Sequence, residues 1–239
     1  MVKNILAIEC SGNNCAVVVK NKAGKIFLRE ENSAARHAEY LVPMIDEMLN
    51  EAKFSYSELT QILVCNGPGS FTGIRAGLAC AEGISATTGC RVFGFSRFFL
   101  AAKQLQKKMQ IGDSPLLILW DAKRDQVYAQ LFAGEEISAD QSLKMPAVAS
   151  EACLIERDEI KSWLENFKLP QGFLCGDAEI LPEISGWNIL EMPEYKPCLA
   201  LLELAEEISA DTAEKYIPMP FYIRPPDAKI SKKNLMEND

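Results

Sequence analysis

The chain has 239 residues, 48% of them hydrophobic and 24% charged, a globular balance that excludes a disordered or fibrous chain. Its formal net charge of −8 argues against gripping RNA or DNA unaided, because affinity for a phosphate backbone comes mainly from clustered Lys and Arg. No stretch approaches the ~18 apolar residues that span a bilayer, and the short run Ile5-Leu6-Ala7-Ile8 is too brief for a signal peptide, so the expectation is a cytoplasmic protein with no membrane contact.

Residues 4–9 read as a strand, Ser11-Gly12-Asn13-Asn14 as a tight turn and residues 15–20 as the returning strand. After the turn Asn21-Lys22-Ala23-Gly24, residues 25–30 complete a three-strand meander. Residues 38–52 place Leu41, Ile45, Met48 and Ala52 on one helical face. Pro43 is tolerable only near a helix start, so the expected start lies close to it. Residues 62–65 form a buried strand, 73–88 a helix and 91–95 another strand. A helix from Ser96 turns Phe99, Ala102 and Leu105 inward and ends before Gly112. The pattern then restarts: strand 116–121, turn Ala122-Lys123-Arg124-Asp125, returning strand 126–132. A helix near 157–167, a strand at 173–176 and a helix near 199–209 follow. The tail, with Pro218, Pro220, Pro225 and Pro226, is expected to be extended. Two halves that each open with an apolar strand, a polar turn and a returning strand suggest a duplicated α/β lobe.

The most informative segment is Asn66-Gly67-Pro68-Gly69-Ser70-Phe71-Thr72-Gly73-Ile74-Arg75, set between an apolar strand and a helix. It is not a P-loop, which would need Lys where Ile74-Arg75 stands, nor a dinucleotide fingerprint. Ser70 or Thr72 can cap the helix, whose positive end can hold an anion; a tightly packed strand-to-helix corner is the other reading. The helix behind it is rich in small residues, with Gly73, Gly77 and Ala81 four apart on one face. That face suits close packing against a partner, internal or from another subunit. Arg75 can pair with a carboxylate or phosphate, or lie solvated.

Glu9, at a strand end before Ser11 and Gly12, resembles a phosphate-binding hairpin whose carboxylate orients magnesium; a plain hairpin turn is the alternative. Asp121 and Asp125 flank the second hairpin turn in the same way. His37 is the single histidine, so no paired-histidine metal site exists within this chain, and a Ser-His-Asp triad would have to use it. The eight cysteines are scattered, none in a C-x-x-C pair, which points to reduced structural thiols and no metal.

Together these segments resemble the TsaB (YeaZ) family of tRNA threonylcarbamoyladenosine biosynthesis proteins. The likeness is carried by Ile5-Leu6-Ala7-Ile8 with the Ser11 turn, Arg36-His37 with Leu41-Val42-Pro43-Met44-Ile45, the segment from Gly67 to Arg75, Asp121-Ala122-Lys123-Arg124 with Val127-Tyr128, and Tyr222-Ile223-Arg224-Pro225-Pro226-Asp227-Ala228. The resemblance implies two actin-like (ASKHA, ribonuclease H-like) α/β lobes with mixed sheets flanked by helices, residues 1–97 forming an interface lobe and 98–239 a second lobe with an extended tail. It implies a non-catalytic subunit that supports a TsaD-like threonylcarbamoyltransferase together with a TsaE-like ATPase, reaching tRNA only through that complex and forming a homodimer when alone. The implied interface uses Gly73, Ala76, Gly77, Cys80, Ala81 and Ile84 with Leu41 and Ile45. No cofactor of its own is expected; ATP or ADP with Mg would sit at the partner boundary. Glu9, Ser11, Gly12, Gly67, Gly69, Ser70 and Thr72 would be a vestigial phosphate site. One departure stands out: the family usually has Asp-Thr-Ser where this chain has Glu9-Cys10-Ser11. The competing reading is an active ASKHA ATPase or phosphotransferase; a peptidase is a third.

Overall fold

A computed structural model describes residues 3–12, 14–32, 37–109, 111, 113–137, 144–192, 196–208 and 215–224. Arg36, Asn13, Gly112, Ser209 and the tail motif from Pro225 to Ala228 lie outside these described residues.

The first lobe opens with β1 (Ile5–Glu9), β2 (Cys15–Lys20) and β3 (Ile26–Glu31), the expected meander. Helix α1 (His37–Ala52) follows, then β4 (Gln61–Cys65), α2 (Phe71–Thr88) and β5 (Arg91–Phe95). The strands order as β3-β2-β1-β4-β5, antiparallel through the meander and parallel from β1 to β4 to β5. β1 and β4 are buried along their whole length and apolar except for Glu9 and Gln61, as strands covered on both faces require. Helices α1 and α2 cover one face through Leu41, Ile45, Met48, Ile74 and Leu78.

Helix α3 (Arg97–Met109) leads into β6 (Leu116–Lys123) and β7 (Gln126–Ile137), then β8 (Lys144–Val148), β9 (Cys153–Glu156), α4 (Ile160–Glu165), β10 (Gly172–Gly176), β11 (Trp187–Ile189) and α5 (Pro197–Glu207). The second sheet orders as β11-β10-β6-β7-β8, with β9 also pairing β7. β6 stands where β1 stands, β7 where β2 does, and β10 runs parallel to β6 as β4 does to β1. The duplicated lobe expected from the sequence is therefore present in the topology. Short β8, β9 and β11 carry no clean alternation and were not read from the sequence.

Two elements cross the division at residue 97. Leu201, Leu204 and Ala205 of α5 join Ile5, Ala7, Val18 and Leu63 in the core on the second face of the first sheet. α3 lies between the sheets, with Leu100 in that core and Phe98, Ala101, Ala102 and Leu105 in the core of the second sheet. The first lobe's core is thus completed by residues from the stretch 98–239.

Pro43 lies six positions inside α1, not at its start. It sits on the exposed side of the helix, where water can take up the carbonyl left over by its missing N–H, so the helix tolerates it. No helix among the described residues is long and apolar enough to cross a membrane.

Candidate functional site

The glycine segment forms a closed corner. β4 ends at Cys65, and Ser70 caps α2: its hydroxyl accepts from the N–H of Gly73 at 3.2 Å. Thr72 is exposed in the first turn. The backbone of the corner is used internally. The Asn66 N–H donates to the Phe95 carbonyl at 2.9 Å, the Arg97 N–H to Gly67 at 2.6 Å, and the Ser70 N–H to Ser11 at 2.7 Å. The Phe221 N–H donates to the Asn66 carbonyl at 2.8 Å. Gly67 has φ of +115°, and a Cβ there would sit 2.8 Å from Ile74 Cδ1 and 3.0 Å from the Phe221 oxygen. Gly69 has φ of +155°, and a Cβ would overlap the Ser11 carbonyl. The glycines are required by these conformations and by close approach of the first hairpin and the strap 215–224. The corner is tightly packed against the first hairpin and the strap.

The Glu9 hairpin is closed on itself as well. Glu9 is 4% exposed, and its Oε1 accepts from the Ser11 N–H at 2.6 Å, the Ser11 hydroxyl at 2.6 Å and the Gly12 N–H at 2.9 Å. Amides that would cradle a phosphate are spent on the chain's own carboxylate. The magnesium–nucleotide implied by the fold therefore does not fit this hairpin as arranged: an incoming phosphate would have to displace Glu9 from the same donors. Glu9 Oε2 is buried without a hydrogen-bond partner among the described residues.

Between the lobes lies a cleft of about 600 Å³ whose walls include Ser11, Gly69, Arg97, Asp121, Asp177 and Arg224. The second-lobe wall is a linked set of charges. Asp121 accepts from Lys123 Nζ at 2.7 Å, the Lys123 N–H at 2.8 Å and the Arg157 guanidinium at 3.0 Å. The Lys123 ammonium, followed by the Lys123 amide and Arg157, holds the Asp121 carboxyl below its ordinary range, and Asp121 in turn raises Lys123. Asp177 accepts from the Asp121 N–H at 2.8 Å. Arg97 lies 4.0 Å over the Trp120 ring, and Arg224 donates to Gln126 at 2.7 Å. Asp121 is thus bound to cations of its own lobe. Asp125 is exposed in the turn, whose residues Lys123, Arg124 and Asp125 all have positive φ. Arg97 and Asp177 carry no signal in the sequence as cleft residues, and Arg224 enters only as part of the tail motif.

The expected interface residues divide in two. Gly73, Gly77 and Ala81 face inward, where a Cβ on Gly77 would meet Ile8 and Val64 at 3.5 Å. Leu41 and Ile45 are likewise buried in the first lobe's core. These five are covered by their own sheet. The reason is geometric: small residues let α2 lie close to β1 and β4, which is a packing role internal to the lobe. Ala76, Cys80 and Ile84 are half-buried beside α1 and reach the surface. Among the described residues Arg75 pairs with no carboxylate. Its guanidinium lies 3.8 Å over the Phe71 ring and its Nε donates to the Tyr222 hydroxyl at 2.8 Å, clipping the strap to α2. His37 opens α1; its side chain lies outside the described residues. No group of His, Cys, Asp and Glu among the described residues is placed to hold a metal ion.

Residues 30–170, more than half of the chain, match the family described as TsaD, tRNA N6-adenosine threonylcarbamoyltransferase. The tRNA threonylcarbamoyladenosine biosynthesis protein TsaB of Buchnera aphidicola subsp. Schizaphis graminum is 33% identical over 124 residues, 52% of this chain and 58% of that protein. The TsaB of Escherichia coli K12 is 28% identical over 124 residues, 52% of each chain. The chain thus spans about half the length of these curated relatives. Among solved structures, YeaZ from Pseudomonas aeruginosa superposes with a TM-score of 0.67 at 22% identity, covering 92% of this chain and all of that one. The fold is the one that YeaZ adopts, two mixed sheets flanked by helices.

Proposed function

The chain belongs to the TsaD family, tRNA N6-adenosine threonylcarbamoyltransferase, among its TsaB (YeaZ) members, and from that premise we propose that it acts in tRNA threonylcarbamoyladenosine biosynthesis as a non-catalytic subunit. Its partner is a TsaD-like catalytic subunit that places threonylcarbamoyl on the adenosine beside the anticodon, with a TsaE-like ATPase in the same assembly. The observation that carries this reading is the Glu9 hairpin, whose Ser11 and Gly12 amides are turned onto the chain's own carboxylate. A single histidine and a net charge of −8 agree with a subunit that neither holds a paired-histidine metal nor grips tRNA by itself.

The surface assigned to the partner is the outer side of α1 and α2, where Val42 and Phe71 are exposed and Ala76, Cys80 and Ile84 reach the surface. The same surface serves a homodimer in the absence of the partner, and any Mg-ATP or Mg-ADP belongs to the boundary of the complex. Co-purification with TsaD and TsaE, with and without ATP, tests the assembly. Ala79→Glu, at an exposed position of α2, is expected to abolish co-purification without lowering the melting temperature. Retained binding removes this surface from the assignment.

The Oε2 of Glu9, buried and without a hydrogen-bond partner among the described residues, favours the second reading, an active ATPase. Calorimetry with Mg-ATP separates the two. Micromolar binding to the chain alone, lost in Glu9→Ala, supports the ATPase; heats of dilution only support the non-catalytic subunit.

A further inference from the structure

The end of β1 and the start of β2 set two thiols side by side. Glu9 pairs with Ala16 in the antiparallel register, so one step along the hairpin opposes Cys10 to Cys15. Both side chains lie on the α1–α2 side of the sheet with Ile8 and Val17, each 1% exposed. Their Sγ atoms are 3.1 Å apart, within reach of a thiol hydrogen bond. Directly opposed residues of antiparallel strands keep their Cα atoms about 4.5–5.5 Å apart, inside the roughly 4.4–6.8 Å that a disulfide bridges. Cys65 and Cys198 pack on the opposite face of the same sheet.

We propose that Cys10 and Cys15 form a redox pair, converted by a small hydroperoxide into a disulfide that staples the base of the 11–14 turn. Ser11 and Gly12 of that turn line the inter-lobe cleft, and the Ser11 carbonyl accepts from the Ser70 amide. Oxidation therefore acts on the joint between the first hairpin and the glycine corner.

The chemistry balances with one oxidant molecule. The Cys10 and Cys15 thiols share a hydrogen bond that pulls the Cys15 thiol down and pushes Cys10 up; the step is written with Cys15 as the attacking sulfur. The Cys15 thiolate attacks one oxygen of hydrogen peroxide; the O–O bond breaks, a sulfenic acid forms and hydroxide leaves. Cys10 sulfur then attacks Cys15 Sγ; the S–S bond forms, the S–O bond breaks and a second hydroxide leaves. The proton released when Cys15 ionised and the proton carried by Cys10 convert the two hydroxides to water. Two thiols are oxidised and one peroxide is reduced. A small oxidant is required because both sulfurs are buried. Cys80 is more accessible, but burial pushes its thiol up to about 11, so it offers little thiolate.

The test is thiol mapping of the full-length chain. The reduced protein is exposed to hydrogen peroxide under native conditions, alkylated in denaturant and digested with trypsin. Lys3 and Lys20 bound a fragment, residues 4–20, that carries both cysteines. The expected fragment is lighter by two hydrogens and unalkylated, returns to double alkylation after reduction, and appears while Cys80 and Cys153 remain alkylated. A fragment that stays doubly alkylated while Cys80 or Cys153 is oxidised overturns the proposal, as does accumulation of a single sulfinic acid on it. In Cys10→Ser the fragment never loses two hydrogens by internal bridging; should that variant fail to fold, the wild-type map decides alone.

Discussion

The backbone N–H of Ser70 donates to the carbonyl oxygen of Ser11 at 2.7 Å, tying the start of α2 to the first hairpin turn. This contact explains both loops. The donor at the helix start that could have met an anion meets a carbonyl, and the hairpin amides at Ser11 and Gly12 meet Glu9. Two elements that resemble phosphate loops in sequence form one packed joint.

Gly69→Ala is expected to destabilise the fold by roughly 3 kcal/mol, because the added methyl overlaps the Ser11 carbonyl at a positive φ that side chains avoid. Urea unfolding measures it. A loss below about 0.5 kcal/mol, the level of a neutral surface change, shows that the corner yields freely.

At Gly77 the two substitutions should differ in sign or size. Alanine meets Ile8 and Val64 at ordinary contact distance and gains roughly 0.5–1 kcal/mol of helix propensity. Leucine overpacks the same space and costs about 1–3 kcal/mol. If leucine instead left the unfolding midpoint untouched and only weakened association, the inward placement of this face would be refuted.

Leu201→Ala is expected to cost about 2–5 kcal/mol, since Leu201 is fully buried against the first sheet. The unfolding transition should remain single, with both lobes losing structure together, because α5 and α3 are shared between them. Two separated transitions would show lobes that fold independently.

Asp121→Asn reads out the ion-paired wall of the cleft. The Asp121 carboxyl is held below its ordinary range by Lys123 and Arg157, so its contribution is full above the unfolded value of about pH 4 and is lost as pH falls through the lower folded value. The variant should be less stable than the parent at pH 7, and the gap should be smaller at pH 3. An equal gap at both values means the pairing contributes nothing.

Much of the architecture was legible because it is local. The unbroken apolar runs at Ile5-Leu6-Ala7-Ile8 and Ile62-Leu63-Val64-Cys65, the helical spacing of Leu41, Ile45 and Met48, and the turn residues between strands state their elements by period and composition. The second lobe's restart at Leu116 announced the duplication. The short strands β8, β9 and β11 escaped because they draw their pairing from β7 and β10 and not from their own pattern. The interior position of Pro43 escaped because its cost depends on which side of α1 faces water.

By itself the sequence determined two repeated α/β units, an acidic chain with one histidine, and a glycine-rich corner between a strand and a helix. Tertiary structure alone decided what that corner faces. A run such as Gly67-Pro68-Gly69-Ser70 specifies a backbone shape and a row of N–H donors, and the acceptor that fills them is set by distant chain. Here the Ser11 carbonyl accepts from Ser70 and the Phe95 carbonyl from Asn66, while the strap donates its Phe221 N–H to the Asn66 carbonyl. The small-residue stripe on α2 likewise encodes close approach without naming the neighbour, and burial against β1 and β4 made that neighbour the lobe's own sheet.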